Sequence, residues 1–306
     1  MELKKQQIAL VTGATGFVGS HLVRRLVQDG WQVHVLHRAT SELPFFSEFV
    51  DTIKHIYDGS TDSMVRCVAQ AKPDIVFHLA SLFLSQHETK DVDSLVLGNV
   101  LMGTQLLEAM SVNGVTRIVN TGTSWQHYDN KDYNPVCLYA ATKQAFEAIL
   151  EYYVQACGVR AITLKLFDTY GPDDRRPKLF NLLSDAVKTG VTLNMSEGGQ
   201  FIDPVFIDDV IDAYMIATHR LLNNEVHNNE RYAVSSHQPI LLRDLVELYS
   251  KISKNTISVN WGAKAYRPRE VMNPWVHGRL IAKWTPKFTL ADGIKKMIES
   301  ASGVSS

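Results

Sequence analysis

Cysteine is scarce in this chain. Its 306 residues include three, Cys67, Cys137 and Cys157. The number is odd and no two form a CxxC pair, which excludes a disulfide framework and a cysteine-rich metal site and fits a reducing compartment. Charge of one sign is lacking as well. The 31 basic residues face 32 acidic ones, a formal net charge of −1, so nothing draws the chain as a whole to nucleic acid or to an anionic membrane. No run comes near the ~18 consecutive apolar residues of a membrane span. Lys4 and Lys5 precede an apolar stretch, but residues 8–11 are too few for a signal-peptide core and run into Thr12 and Gly13 without a small-residue cleavage pattern. The sequence therefore predicts a buried first strand in a cytoplasmic protein. It predicts no metal: His34 and His37 form an HxxH, but on a strand that spacing puts the rings on opposite faces.

What is present is an ordinary globular composition, 45% hydrophobic and 21% charged, long enough for one large or two fused domains at roughly 150 residues each. Short apolar runs alternate with helical patterns. Residues 8–11 read as a strand, 19–28 as a helix with Leu22, Val23, Leu26 and Val27 on one face, and 31–36 as the next strand after Gly30. Strands at 74–79, 117–120 and 161–167 follow, with helices over 95–110 and 139–156 between them. Continuous apolar strands alternating with helices make βαβ units, so the fold class is α/β with a parallel sheet. After Phe167 the rhythm breaks. A Gly/Pro/Asp loop spans 168–177, a turn lies at 197–199, strands are expected at 202–210 and 231–234, and helices at about 241–252 and 290–300, with a frayed tail from Ser300. Trp31, Phe45, Phe46, Tyr152 and Tyr153 read as core or interface residues.

Between the first strand and helix stands TGATGFVG, with glycines at 13, 16 and 19. A tight turn, a close backbone approach and close helix packing, with the anion at the helix N-terminus, suit a dinucleotide pyrophosphate. The second strand ends in His37 and Arg38, without the acid that would bond a ribose 2′-hydroxyl. An arginine there accommodates a 2′-phosphate, which favours NADP(H). Further on, Tyr139 and Lys143 stand one turn apart on one helical face. A neighbouring ammonium is expected to lower the phenol's pKa, fitting Tyr139 for proton transfer. The hydroxyls of TGTS at 121–124 end the preceding strand, where one could hold a substrate carbonyl.

In combination, TGATGFVG at 12–19, FHLAS at 77–81, TGTS at 121–124, YAATK at 139–143 and LFDTYGP at 166–172 resemble the extended short-chain dehydrogenase/reductases, and within them the nucleotide-sugar epimerase/dehydratase/reductase group. The resemblance implies a Rossmann-type doubly wound parallel sheet formed by 1–167 plus about 203–235, and a smaller substrate lobe formed by 168–202 and 236–306. It implies a Ser-Tyr-Lys set of Ser124, Tyr139 and Lys143, with Thr123 as the alternative hydroxyl, and a homodimer through helices near 99–111 and 139–156. The cofactor would lie against Gly13, Thr15, Gly16, Phe17, Val18, Gly19, His37, Arg38, Asp58, Gly59, Leu79, Ala80, Ser81, Tyr139 and Lys143, with Asp58 toward adenine.

Departures from the group's pattern narrow the reaction. Trp125 and Gln126 stand where 4,6-dehydrating relatives carry an Asp-Glu pair, and neither can supply their acid or base. Ile202 stands where many relatives have an arginine, and Asp168 replaces a frequent asparagine. A nucleotide-sugar substrate would then meet Thr123, Ser124, Trp125 and Asp168, with Arg175, Arg176, Arg267 and Arg269 supplying positive charge for its phosphates. The pattern is most similar to 4-ketoreductases of deoxysugar and O-antigen biosynthesis. It implies NADPH-dependent reduction of a nucleotide-linked 4-keto-6-deoxyhexose, CDP- or dTDP-linked. The alternatives are an NAD-dependent 4-epimerase and a non-catalytic dinucleotide sensor. Asp208 and Asp209 read as structural.

Overall fold

A computed structural model describes residues 6–41 and 51–301; Phe45, Phe46 and 302–306 lie outside the described residues. β1 (Ile8–Thr12) leads through the glycine turn into α1 (Phe17–Gln28), followed by β2 (Gln32–Arg38), β3 (Ile53–Tyr57), α2 (Thr61–Ala71) and β4 (Ile75–His78). A long helical rod comes next: α3 (Val92–Val96), a π-helical stretch (Leu97–Leu101) and α4 (Met102–Val112). Then come β5 (Arg117–Thr123), α5 (Leu138–Cys157), β6 (Arg160–Leu166), β7 (Asp168–Tyr170), α6 (Leu179–Thr189), β8 (Leu193–Met195), β9 (Phe201–Ile202) and β10 (Pro204–Phe206). The chain ends with α7 (Ile207–Leu222), β11 (Asn229–Val234), β12 (Ile240–Leu241), α8 (Leu242–Ser253), β13 (Val259–Trp261) and α9 (Leu290–Ala301).

Seven strands form one sheet in the order β11-β6-β5-β4-β1-β2-β3, and every pairing within it is parallel. This is the doubly wound arrangement. Its order reverses between β1 and β4, so a crevice opens beyond their carboxyl ends. The two central strands are buried on both faces, which is why they read as unbroken apolar runs. One face is covered by α2, α4 and α5, whose Met64, Val68, Leu106, Leu107, Phe146 and Leu150 form one core. On the other, α1 packs on α7, and Leu22, Val23 and Leu26 share a core with Phe180, Leu183, Leu245, Tyr249 and Ile294 of the C-terminal helices. The apolar packing that seats those helices is thus continuous with the sheet.

The strand expected at 202–210 is corrected by the structure. Only β9 and β10 are extended there, each short, and α7 begins at Ile207. Asp208 and Asp209 fall in its first turn, where negative charge favours the helix dipole. Asp209 is buried, and its carboxylate accepts backbone N–H bonds from Lys287 and Phe288 at 2.8 and 3.2 Å. Its role is to tie the approach to α9 onto α7.

Among the described residues one helical rod, Thr89–Val112, is long and apolar enough to cross a membrane by length and composition. No unbroken apolar run announces it, because Asn99, Thr104, Gln105 and Glu108 interrupt it. Its Leu95, Asn99, Leu106 and Leu107 are buried, and α4 packs against α2 and α5.

Candidate active site

The glycine turn is built for close approach. Gly13 has φ +74°, and a Cβ there would lie 2.5 Å from the Ala80 backbone nitrogen; a Cβ on Gly19 would lie 2.1 Å from the Gly13 oxygen. The loops after β1 and β4 are therefore pressed together. Thr12 Oγ1 strengthens the join, accepting from Ala80 N–H at 3.2 Å and meeting His78 Nδ1 at 2.9 Å. Gly16 caps α1 with no side-chain bond, leaving first-turn N–H groups for an outside acceptor.

A cavity of about 640 Å³ extends from this turn to the end of β2, lined by Gly13, Thr15, Gly16, His37, Arg38, Gly59, Leu79, Ala80 and Ser81. A second, of about 250 Å³, carries Gly13, Gly16, Phe17, Val18, Gly19, Leu79 and Ser81 on to Tyr139 and Lys143. Together they have the length, glycine cradle and uncapped helix start that fit a nicotinamide dinucleotide. Arg38 is exposed at the mouth beside Ser41, whose backbone N–H donates to the Arg38 carbonyl at 2.9 Å. Asp58 does not join this lining. Its carboxylate is taken by Ser60, accepting from N–H at 2.8 Å and from Oγ at 2.6 Å, in the turn that caps α2.

Tyr139, Lys143, Thr123 and Ser124 converge on the inner cavity. Thr123 Oγ1 accepts the Trp125 N–H at 3.3 Å, and Gln126 Oε1 accepts the Thr123 N–H at 3.0 Å. These bonds curl the chain after β5 into a short turn, with Ser124 opening into the cleft. Gln126 is fully buried and faces away from the cleft, donating to Glu147 Oε1 at 2.8 Å. The expected lowering of the Tyr139 pKa by Lys143 is not what the structure shows. Burial pushes the phenol up to about 12, against the Ser81 hydrogen bond and the charge of Arg176. Burial also takes Lys143 down to about 8, opposed by Glu147. Lys143 is not among the causes acting on Tyr139, and desolvation leaves it a neutral phenol at neutral pH with its proton in place.

A third cavity, of about 340 Å³, continues from Ser124 and Trp125 past Asp168 into the C-terminal segments, lined by Phe83, Phe167, Phe180, Ile202, Arg267 and Trp275 among others. Asp168 and Lys178 line both this cavity and the inner one. Asp168 is exposed to the cavity, but the protein atoms crowding round it raise its pKa against the pull of Lys178, and burial lowers that of Lys178. Sequence reading missed Lys178. It lies past the Asp168–Tyr170 strand at the end of a loop that also holds Arg175 and Arg176, with no motif to mark it, and its Nζ stands 5.0 Å from the Phe83 ring.

The arginines divide. Arg176 lines the inner cavity but is held bidentately by Asp174 at 2.7 and 2.7 Å. Arg267 lines the third cavity 5.1 Å from the Trp125 ring centre and is clasped by Glu270. Arg175 and Arg269, both expected at the substrate, line neither cavity. Arg175 faces a separate surface recess with Asp173 and Lys188. Arg269, at φ +58° in a turn, stacks 4.3 Å from the Tyr128 ring and donates to Asn134.

Among known proteins, the chain is 26% identical over 292 residues to a CDP-abequose synthase of Salmonella muenchen, covering 94% of this chain and 96% of that one. It is 27% identical over 314 residues to a UDP-glucose 4-epimerase of Mycolicibacterium smegmatis, covering 95% and 97%. Its fold superposes on the Thermus thermophilus UDP-glucose 4-epimerase complexed with NAD with a TM-score of 0.82 and 24% identity, over 97% of this chain and 99% of that one. The family model for NAD dependent epimerases/dehydratases matches residues 9–234. A glycine turn at the β1–β4 crevice and the match from Ala9 to Val234 agree, and this chain belongs to the NAD dependent epimerase/dehydratase family.

Proposed function

We propose that this protein is a cytoplasmic, NADPH-dependent reductase of the C4 keto group of a nucleotide-linked 4-keto-6-deoxyhexose. The observation that carries this reading is Arg38 in place of an acid at the end of β2, lining the dinucleotide cavity, and the protonation inventory of the cleft counts against loss of water. Tyr139 is one neutral phenol on the same cavity as the Ser124 hydroxyl, and the positions after Ser124 hold an indole and a buried amide. Loss of water would need a further acid and base there; protonation of one carbonyl oxygen does not.

Gly13, Gly16, Ser81, Arg38 and Lys143 would hold the dinucleotide, and when bound it supplies hydride to the carbonyl carbon. Ser124 Oγ donates a hydrogen bond to the carbonyl oxygen and fixes its position. Tyr139 Oη gives that oxygen its proton, completing the alcohol, and recovers a proton from solvent afterwards. The Lys143 ammonium on the same face of α5 offsets the transient phenolate. Arg38, in place of an acid at the end of β2, supports the phosphorylated dinucleotide. The free state of Cys67, Cys137 and Cys157 supports a reducing compartment.

The test is oxidation of NADPH and of NADH with CDP- and dTDP-linked 4-keto-6-deoxyhexoses, with the sugar product identified. NADPH-selective turnover that collapses in Tyr139→Phe is expected. A Tyr139→Phe variant of full activity would sink the mechanism. Similarity to UDP-glucose 4-epimerases over nearly the whole chain favours a second reading, 4-epimerisation. It requires interconversion of intact nucleotide hexoses with no net cofactor consumption.

Self-association belongs to the same reading. Val96 and Val112 on the helical rod and Tyr152 on α5 are 43%, 62% and 63% exposed, an apolar surface suited to a homodimer. Light scattering that gives a monomer mass at micromolar concentration would exclude it.

A further inference from the structure

Beneath the substrate cavity lies a buried charged cluster that the chemistry above does not use. Lys165 on β6 and Glu147 on α5 are 3% and 1% exposed in their side chains, with charged atoms 3.5 Å apart. Glu147 is also held by Arg231 Nε at 3.3 Å and by Gln126 Nε2 at 2.8 Å. Lys165 has a second partner, with its Nζ 2.8 Å from His127 Nε2. The other ring nitrogen, Nδ1, lies 3.1 Å from the Lys131 carbonyl oxygen. A carbonyl only accepts, so Nδ1 carries the proton and Nε2 offers its lone pair to the ammonium. With both nitrogens engaged, the imidazole cannot flip without leaving a buried ammonium short of a partner.

Trp275 lies flat on this fixed ring, with centroids 3.8 Å apart and planes 13° from parallel. Phe167 stacks in nearly the same orientation at 6.3 Å. At Gly278 a Cβ would fall 2.7 Å from the indole, so that position leaves room for the ring. His127, Phe167 and Trp275 all line the substrate cavity. A hydroxyl pressed on such a wall would lose water and gain no partner, whereas a deoxygenated carbon would bury apolar surface at no such cost.

We propose that His127 is a positioning residue. Braced by Lys165 and Glu147, it holds Trp275 as the apolar wall against which the sugar packs, and so selects a sugar lacking a hydroxyl on that side. The choice of sugar rests on the nucleotide-sugar reading above; the brace itself does not. The charged and polar groups facing the imidazole are Lys165 from β6, Glu147 from α5, and the carbonyls of Lys131 and Asp132 from the following loop. Burial first, then Lys165, takes its pKa down to about 4. The ring therefore stays neutral at neutral pH.

Two measurements test this. In His127→Ala, KM for the deoxygenated nucleotide sugar should rise roughly tenfold with kcat little changed, and His127→Phe, which keeps a stacking ring, should recover most of the loss. An unchanged KM in His127→Ala overturns the proposal. Tryptophan emission supplies a readout that needs no substrate, because an imidazolium stacked on an indole quenches it. Wild-type emission should stay flat from about pH 8 to about pH 5. In Lys165→Met the midpoint of the fall should rise above the wild-type value of about 4 and stay below the ordinary histidine value of about 6.5, because burial, the larger cause, remains, and the fall should vanish when Trp275→Phe is added. A Lys165→Met midpoint no higher than that of wild type, or a fall that survives Trp275→Phe, overturns the brace. Wild-type protein inert toward every nucleotide sugar, with the emission result as expected, overturns the functional reading and leaves the brace standing.

Discussion

Asn99 Nδ2 donates to Thr142 Oγ1 at 2.9 Å, joining the helical rod to α5 one residue before Lys143. The same amide donates to the Leu82 carbonyl at 3.0 Å and accepts from Leu82 N–H at 2.7 Å and Ser81 Oγ at 3.2 Å. It lies in the π-helical stretch Leu97–Leu101, and all its hydrogen-bonding capacity is used. One buried side chain thus sets the loop after β4 relative to the helix that carries Tyr139.

Removing that amide should therefore cost both stability and activity. Asn99→Ala orphans the Leu82 backbone groups, and roughly 2–4 kcal/mol of unfolding free energy should be lost. Urea titration gives the first number. Turnover per folded molecule should also fall, because Ser81 and Lys143 lose their shared anchor.

Thr123 and Ser124 should separate into a structural and a catalytic hydroxyl. Thr123 Oγ1 caps the turn through the Trp125 N–H, so Thr123→Ala should cost about 1 kcal/mol of stability. Ser124→Ala should leave the melting temperature close to wild type and lower kcat by roughly 100-fold. The reverse pattern would assign the catalytic role to Thr123.

Stability should depend on pH through Lys143. Its folded pKa, near 8, lies below its ordinary value of 10.5, so between those values the unfolded chain holds more protons. Stability from this group then rises with pH across that window. The buried ammonium is a penalty below about pH 8 that is gone above about pH 10.5. Urea midpoints for wild type and Lys143→Met should show the variant's advantage shrinking as pH rises. A difference that stays constant from neutral to alkaline pH would contradict the shift.

Cofactor choice should turn on Arg38, which is exposed and lines the outer cavity. Losing a charge-assisted contact to a phosphate is worth about 1.5–3 kcal/mol. Arg38→Ala should therefore weaken NADPH binding by roughly 10- to 100-fold and leave NADH nearly untouched. Equal loss for both cofactors would mean that Arg38 does not read the 2′-phosphate.

The three glycines should not be equivalent. Gly19→Ala drives a methyl to 2.1 Å from the Gly13 oxygen and should lower the melting temperature markedly. At Gly16 the nearest atom is 3.3 Å away, so alanine there should fold and show its effect mainly as weaker dinucleotide binding, measured by calorimetry.

The parallel sheet was legible because its central strands are unbroken apolar runs, and the glycine turn because only glycine tolerates the backbone contacts at 13 and 19. Other elements were less visible. β3 is an edge strand with only His55 and Tyr57 buried, too weak an alternation to register. α2 does carry a signal, with Met64, Cys67, Val68 and Ala71 at helical spacing behind the Ser60 cap.

Motif and order along the chain thus determined the fold class, the dinucleotide crevice and the Tyr139–Lys143 pair, because periodicity and glycine placement are local properties. Only the tertiary structure decided that Arg175 and Arg269 line neither the inner nor the third cavity, that Lys178 lines both, and that burial raises the Tyr139 pKa instead of Lys143 lowering it. It also brought His127, Lys165 and Trp275 together from three separate segments. Charge pairing and desolvation depend on neighbours distant in sequence, and no spacing rule records them.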